Sequence, residues 1–156
     1  MKRSIIAGLF VIIACLMIAG CGGSSAKELD IAAFASAAVE KVDFGDELLE
    51  VPEGMLSDYY VLPKDKVSAS AVYVSGTGAT ASELAVFKCK DADAAKAVKS
   101  AVDTRIAEQT ASYENYRPDE KFRLENAFVA VEGNYVVFAV SNDNDAVEKL
   151  LESSMK

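Results

Sequence analysis

The chain has 156 residues, 51% of them hydrophobic, with 16 Lys and Arg against 24 Asp and Glu, and no histidine. An acidic balance without basic clusters argues against a nucleic-acid partner and against lying flat on anionic lipid. The lack of histidine removes the commonest general base and the commonest transition-metal ligand together.

Lys2 and Arg3 form a positive n-region, and residues 5–19 are an uncharged, almost wholly apolar run of 15 residues. Ile18-Ala19-Gly20-Cys21 reads as a lipobox: an aliphatic residue, two small residues that fit a narrow peptidase cleft, and a cysteine that accepts a diacylglyceryl group. The run is short of the roughly 20 residues that span a bilayer. It ends in Gly22-Gly23-Ser24-Ser25, which is flexible and does not continue a helix. The expectation is a signal peptide over 1–20, lipid attachment at Cys21, a flexible tether over 21–28 and a single domain over 29–156. Two acyl chains on one cysteine give stable anchoring, at about 0.8 kcal/mol per buried methylene. The expectation is a mature chain on the extracytoplasmic face of the cell membrane, anchored and not spanning. Loss of Lys2 and Arg3 leaves 14 basic residues against 24 acidic, a net charge of −10. Of the three cysteines, Cys15 leaves with the signal peptide and Cys21 is acylated. Only Cys89 stays free, so there is no disulfide framework.

Asp30 is placed to cap a helix over 31–42 whose apolar face is Ile31, Phe34, Ala35, Ala38 and Val42. Residues 43–52 read as acidic and irregular, ending at Pro52, and a short helix follows over 53–60. Pro63-Lys64-Asp65 is a turn. Strands follow over 69–74 and 84–90, joined by the loop Ser75-Gly76-Thr77-Gly78-Ala79-Thr80. A long helix over 92–116 carries the stripe Ala95, Val98, Val102, Ile106, Gln109, Tyr113 and Tyr116, with Pro118 as its stop. Residues 127–131 and 135–140 form a hairpin across Gly133-Asn134. Asn142–Asn144 caps a last helix with Val147, Leu150 and Leu151. Residues 69–116 and 127–155 both read strand, strand, helix, with Val86-Phe87 leading to Asp91-Ala92-Asp93-Ala94 and Val137-Phe138 to Asp143-Asn144-Asp145-Ala146, a weak sign of duplication. The fold expected is α+β: an antiparallel sheet of about four strands in ββαββα order with packed helices, preceded by an N-terminal helical segment.

Several blocks carry a resemblance. They are Gly78-Ala79-Thr80 with Glu83-Leu84-Ala85-Val86-Phe87, Arg105 and Gln109, Tyr116 and Pro118, Leu124-Glu125-Asn126-Ala127, Gly133-Asn134-Tyr135-Val136, and Ser141-Asn142-Asp143. In this order and spacing the chain resembles a family of small, uncharacterised Gram-positive lipoproteins, a domain of unknown function. Ser82 and Asn142 stand where that pattern has acidic residues, and Cys89 where it has a small apolar one. The resemblance implies fold and location and transfers no activity.

The chemistry-bearing patterns are few. Gly76-Thr77-Gly78 is followed by a strand, whereas a phosphate loop precedes a helix N-terminus, so a strand connection is expected. Asp91/Asp93 and Asp143/Asp145 lack the glycine and distal glutamate of an EF-hand loop and sit at helix starts, so capping is expected. Arg105 and Gln109 are neighbours four apart; such a pair either meets a ligand or ties the helix to nearby backbone carbonyls. Cys89 alternates with Ala85 and Phe87 and reads as a small core hydrophobe. No catalytic residue, cofactor or metal site is expected.

The strand pattern also leaves a second apolar face, with Leu84, Val86, Phe128, Ala130, Tyr135, Val137 and Ala139 turned from the long helix. Of these, Leu84, Val86, Phe128, Tyr135 and Val137 are the candidate interaction surface if a partner or a second copy covers them. The preferred cover is the chain's own segment 29–62, through Phe34, Val42, Leu48, Leu49 and Tyr59. The function expected is a non-catalytic binding or accessory module, whose partners are membrane lipid through acylated Cys21 and an unidentified envelope protein. The alternatives are a small-ligand or cation-binding lipoprotein and, third, a carboxylate-based enzyme.

Overall fold

The computed structural model describes residues 27–156. The expected signal peptide, the expected lipid-bearing Cys21 and the expected tether before Lys27 lie outside the described residues. The elements are α1 (Ile31–Lys41), β1 (Leu48–Glu50), a 3₁₀ turn (Glu53–Asp58), β2 (Val67–Ser75), β3 (Glu83–Cys89), α2 (Ala92–Tyr113), α3 (Pro118–Glu125), β4 (Phe128–Glu132), β5 (Tyr135–Val140) and α4 (Asn144–Ser154). The five strands form one antiparallel sheet in the order β1-β2-β3-β5-β4. The fold is α+β, as expected. The additional strand is β1, three residues within the stretch read as irregular; so short a run carries no legible alternation.

Three helices begin on aspartate caps. Asp30, Asp91 and Asp143 each accept a hydrogen bond from the backbone N–H three residues on, at 3.0, 2.7 and 3.0 Å. The α4 cap is therefore Asp143, within the range read for it. The α2 helix ends at Tyr113, short of residue 116, and Tyr116 is 76% exposed, not part of the buried stripe. Pro118, read as a stop, is also a start: it occupies the first turn of α3, followed by Asp119 and Glu120. Proline fits that position because the first N–H groups of a helix have no partner within it.

The sheet is covered on both faces. On one, Ala85, Phe87, Val136, Phe138 and Val140 meet Ala95, Val98 and Val102 of α2, with Leu124 of α3 and Tyr60. On the other, Leu84, Val86, Val137 and Ala139 meet Phe34, Ala35 and Ala38 of α1 and Val147 and Leu151 of α4, with Val42, Phe44 and Leu48 at the margin. The proposed interaction surface is thus corrected: Leu84, Val86, Tyr135 and Val137 are at most 1% exposed, and Phe128 is half-buried beside them. The chain itself covers them, through Phe34, Val42 and Leu48 as expected, and through α4 as well. Leu49 is 53% exposed, and Tyr59 packs on the opposite face.

The strand order carries the duplication, since β2-β3 and β5-β4 are arranged about the β3–β5 pair. The helices do not: α2 and α4 lie on opposite faces. Phe87 and Phe138 point to the same face, but Asp91 follows Phe87 by four residues and Asp143 follows Phe138 by five. In extended chain one extra residue reverses the side to which the next element leaves.

Glu28, assigned to the tether by sequence, belongs to the fold. Its N–H donates to the Lys156 carbonyl at 2.8 Å and its carbonyl accepts from the Lys156 N–H at 3.1 Å. Leu29 is buried.

Candidate functional site

The head of β3 starts on two buried polar residues, Ser82 and Glu83, each 1% exposed. Glu83 precedes the apolar run of β3 and so places a carboxylate at the edge of the core, where it must be paired. Arg105 and Gln109, one helical turn apart on α2, both reach it. Arg105 Nη2 and Nε donate to Glu83 Oε2 at 2.9 and 3.2 Å, and Gln109 Nε2 donates to the same oxygen at 3.1 Å. The Tyr60 hydroxyl donates to Oε1. Burial, reinforced by the Glu83 carboxylate, pushes the Tyr60 hydroxyl well above its usual value, so it remains a donor. Arg105 also lies over the rings of Tyr59 and Tyr60, at 5.3 and 5.8 Å from their centroids. The Tyr60 ring meets Phe87 edge-on at 5.2 Å.

A second network stands beside the first. Glu120 of α3 is buried, and its Oε2 accepts from the Ala81 N–H and from Arg123 Nη1, both at 2.8 Å. Arg123 Nη2 donates to the Phe44 carbonyl at 2.8 Å and to Ser82 Oγ at 3.1 Å. Ser82 Oγ donates to the Phe44 carbonyl at 2.6 Å. Arg117 Nη1 donates to the Ala79 carbonyl at 3.1 Å while its other nitrogens hold Asp119. Further out, Asp46 Oδ2 accepts from Ser75 Oγ at 2.5 Å, Thr77 Oγ1 at 2.6 Å and Thr80 Oγ1 at 2.9 Å. These hydroxyls, Ser75 foremost, hold the Asp46 carboxyl down to about 2.

Chemically, the arrangement is a set of ties. Both oxygens of Glu83 are engaged by donors from two other segments, and the Arg123 guanidinium joins the loop after α1 to the heads of α3 and β3. Arg105 and Gln109 therefore tie the helix down within the chain, but to the Glu83 carboxylate and not to the backbone carbonyls expected. The Asp91 and Asp143 members of the two aspartate pairs are caps, and Asp93 pairs with Lys96 at 2.9 Å. Gly76-Thr77-Gly78 is a strand connection whose Gly76 N–H donates to the Glu47 carbonyl at 2.7 Å. A Cβ on Gly76 would stand 3.0 Å from that carbonyl, so any other residue there would push the Glu47 backbone away by a few tenths of an ångström. Cys89 is buried, and burial with the nearby Asp91 charge pushes its thiol up, away from thiolate.

The sequence reading missed Glu120, Arg123 and the Tyr60 hydroxyl. Pro118-Asp119-Glu120 with Arg123 in the last turn was the available signal: proline and acids first, a base last. Tyr60 gave none, because its partner lies 23 residues on, beyond β2.

Both networks fall within one matched segment. Residues 40–141 match the Domain of unknown function (DUF4358), and the chain belongs to that family. No curated protein and no solved structure matches the chain.

Proposed function

We propose that this chain is a lipoprotein, held on the extracytoplasmic face of the membrane by acylated Cys21, that works as a non-catalytic binding module. The anchor rests on the lipobox at Ile18-Ala19-Gly20-Cys21. Among the described residues no helix is long and apolar enough to cross a membrane. The observation that carries the binding reading is the commitment of Glu83. The carboxylate best placed to serve chemistry is already spent on Tyr60, Arg105 and Gln109, and using it as a base would break the ties that hold α2 to the sheet. Glu28 lies seven positions on from Cys21, a reach of at most about 25 Å, so the domain works close to the membrane surface.

Photo-cross-linking of the anchored chain in membranes tests the reading. Cross-links to envelope proteins that vanish with Cys21→Ala, together with acyl labelling of the parent chain alone, are the expected result. Labelling of the Cys21→Ala variant would refute the anchor.

A second reading, a small-ligand lipoprotein, is favoured by one feature. A cleft of about 470 Å³ between α2 and residues 59–63 is lined by Tyr59, Leu62, Pro63, Ala101 and Arg105. A metabolite that raises Tm in a thermal-shift screen, and fails to do so in Ala101→Trp, would select this reading.

A further inference from the structure

The sheet has one strand that outlasts its neighbour. β1 pairs with Tyr73–Ser75 of β2, and the Val51 N–H still donates to the Val72 carbonyl at 2.8 Å. At Pro52 the chain leaves the sheet and enters the 3₁₀ turn over Glu53–Asp58. β2 runs on through residues 67–71 with no strand beside it on that side among the described residues. Backbone groups alternate along a strand, so Ser70, two residues from Val72, turns its N–H and C=O to the same open side. A groove of about 520 Å³ lies along this edge, walled by Glu50, Glu53, Leu56 and Leu62.

The wall has a distinct charge. Residues 42–63 hold Asp43, Asp46, Glu47, Glu50, Glu53 and Asp58, and no Lys or Arg. The same stretch carries three of the exposed large apolar side chains, Leu49, Met55 and Val61. An edge of this kind is a template for another strand. A second copy would bring one acidic wall against another, and like charges across an interface repel.

We propose that the open half of β2 takes an extended, basic segment of a partner protein as an added strand, in line with β1. Main-chain bonds to Ser70 supply the pairing, Glu50 and Glu53 select lysine or arginine, and Leu56 and Leu62 receive apolar side chains between them. This rests on the binding-module reading and names the class of its partner.

The test uses the full chain in detergent and a fluorescent peptide of about eight residues alternating lysine and valine, long enough to cover the open edge. Saturable binding that weakens with salt is expected. Glu50→Lys with Glu53→Lys should weaken it about tenfold, the scale of two rim charge pairs. Ser70→Pro should abolish it, since it removes an outward N–H that an edge position can spare. N-methylation of the peptide supplies a control that leaves the protein untouched: methyl groups on one edge should abolish binding, and on the other edge change nothing. Binding that ignores Ser70→Pro, or that ignores methylation on both edges, overturns the proposal. So does loss of binding with Val131→Pro on β4, the opposite edge, or sedimentation as a dimer that Ser70→Pro dissociates. Envelope cross-links that map away from β2, with no peptide bound, sink the added strand and leave the binding module standing. Failure to obtain either sinks both.

Discussion

On one face of the sheet, α1 and α4 lay Phe34, Ala38, Val147 and Leu151 onto Leu84, Val86, Val137 and Ala139, and the contact is apolar throughout. On the other, α2 buries Ala94, Ala95, Val98 and Val102 fully, and Ile106 and Tyr113 only in part. Beyond Val102 it is also held by Arg105 and Gln109 on Glu83. The first face depends on buried area, which stabilises by about 1.5–3 kcal/mol for each large side chain. The second adds a buried ion pair, whose net worth is small but whose breakage is severe. Charge here joins the half-buried Ile106 and Tyr113 in placing the second half of α2, whereas area alone holds the other face.

Single truncations should separate the two. Arg105→Ala leaves Glu83 charged and uncompensated, at an expected cost of about 3–5 kcal/mol. Phe34→Ala, which opens a cavity under α1, should cost about as much, 3–5 kcal/mol. The contrast comes with the partner removed as well. Glu83→Leu with Arg105→Leu should recover most of the loss, because the pair is exchanged for apolar contact. No second substitution opposite Phe34 can refill that space. Urea denaturation of the parent chain and the three variants measures this. If the double leucine variant is no more stable than Arg105→Ala, the second face is not held by charge.

This difference also decided what the sequence made legible. The apolar face follows from strand alternation and helical spacing, so Phe34, Val42 and Leu48 could be matched to Leu84, Val86 and Val137 before any coordinates. The face of α4 was harder to assign, because it depends on one extra residue between Phe138 and Asp143. The charged face was only half legible. Arg105 and Gln109 announce a polar partner by sitting on a buried helix flank, but the partner is set by tertiary approach. Glu83 looks like any solvated strand residue, and Tyr60 and Arg123 arrive from loops and a helix with no periodic pattern. Leu49 and Tyr59 were misplaced for a related reason: Leu49 lies in β1, where a single residue reverses the face, and Tyr59 follows the 3₁₀ turn.

The caps allow a smaller comparison. Asp91 starts the helix on the charged face and Asp143 the helix on the apolar one, with equivalent hydrogen bonds. Alanine at either should cost about 1 kcal/mol. The two should differ in kind: loss at Asp91 should also raise the reactivity of Cys89 toward thiol reagents, since Asp91 is one of the two causes that suppress its thiolate. In the parent chain native labelling of Cys89 should be slow and labelling in denaturant fast. Rapid native labelling would place Cys89 outside the core.

The smallest effect lies where the two faces are joined, at Asp46. This residue belongs to the segment leading from α1, and it gathers Ser75, Thr77 and Thr80 from the β2–β3 loop. Its carboxyl is held at about 2, below its ordinary value of about 3.9 in an unfolded chain. A depressed carboxyl stabilises the fold above the unfolded value, and that contribution is lost as pH falls toward the folded one. Asp46→Asn should therefore lower Tm slightly at pH 7 and not at all near pH 2, so the parent and variant curves converge through the window between about 4 and 2. Asp119, held at about 2 by Arg117, gives the parent chain a similar acid limb, so the parent curve alone cannot assign the effect. The informative quantity is the difference between the two chains at each pH. A difference that stays constant from pH 7 to pH 2 would mean that the Asp46 contacts are neutral hydrogen bonds that survive protonation.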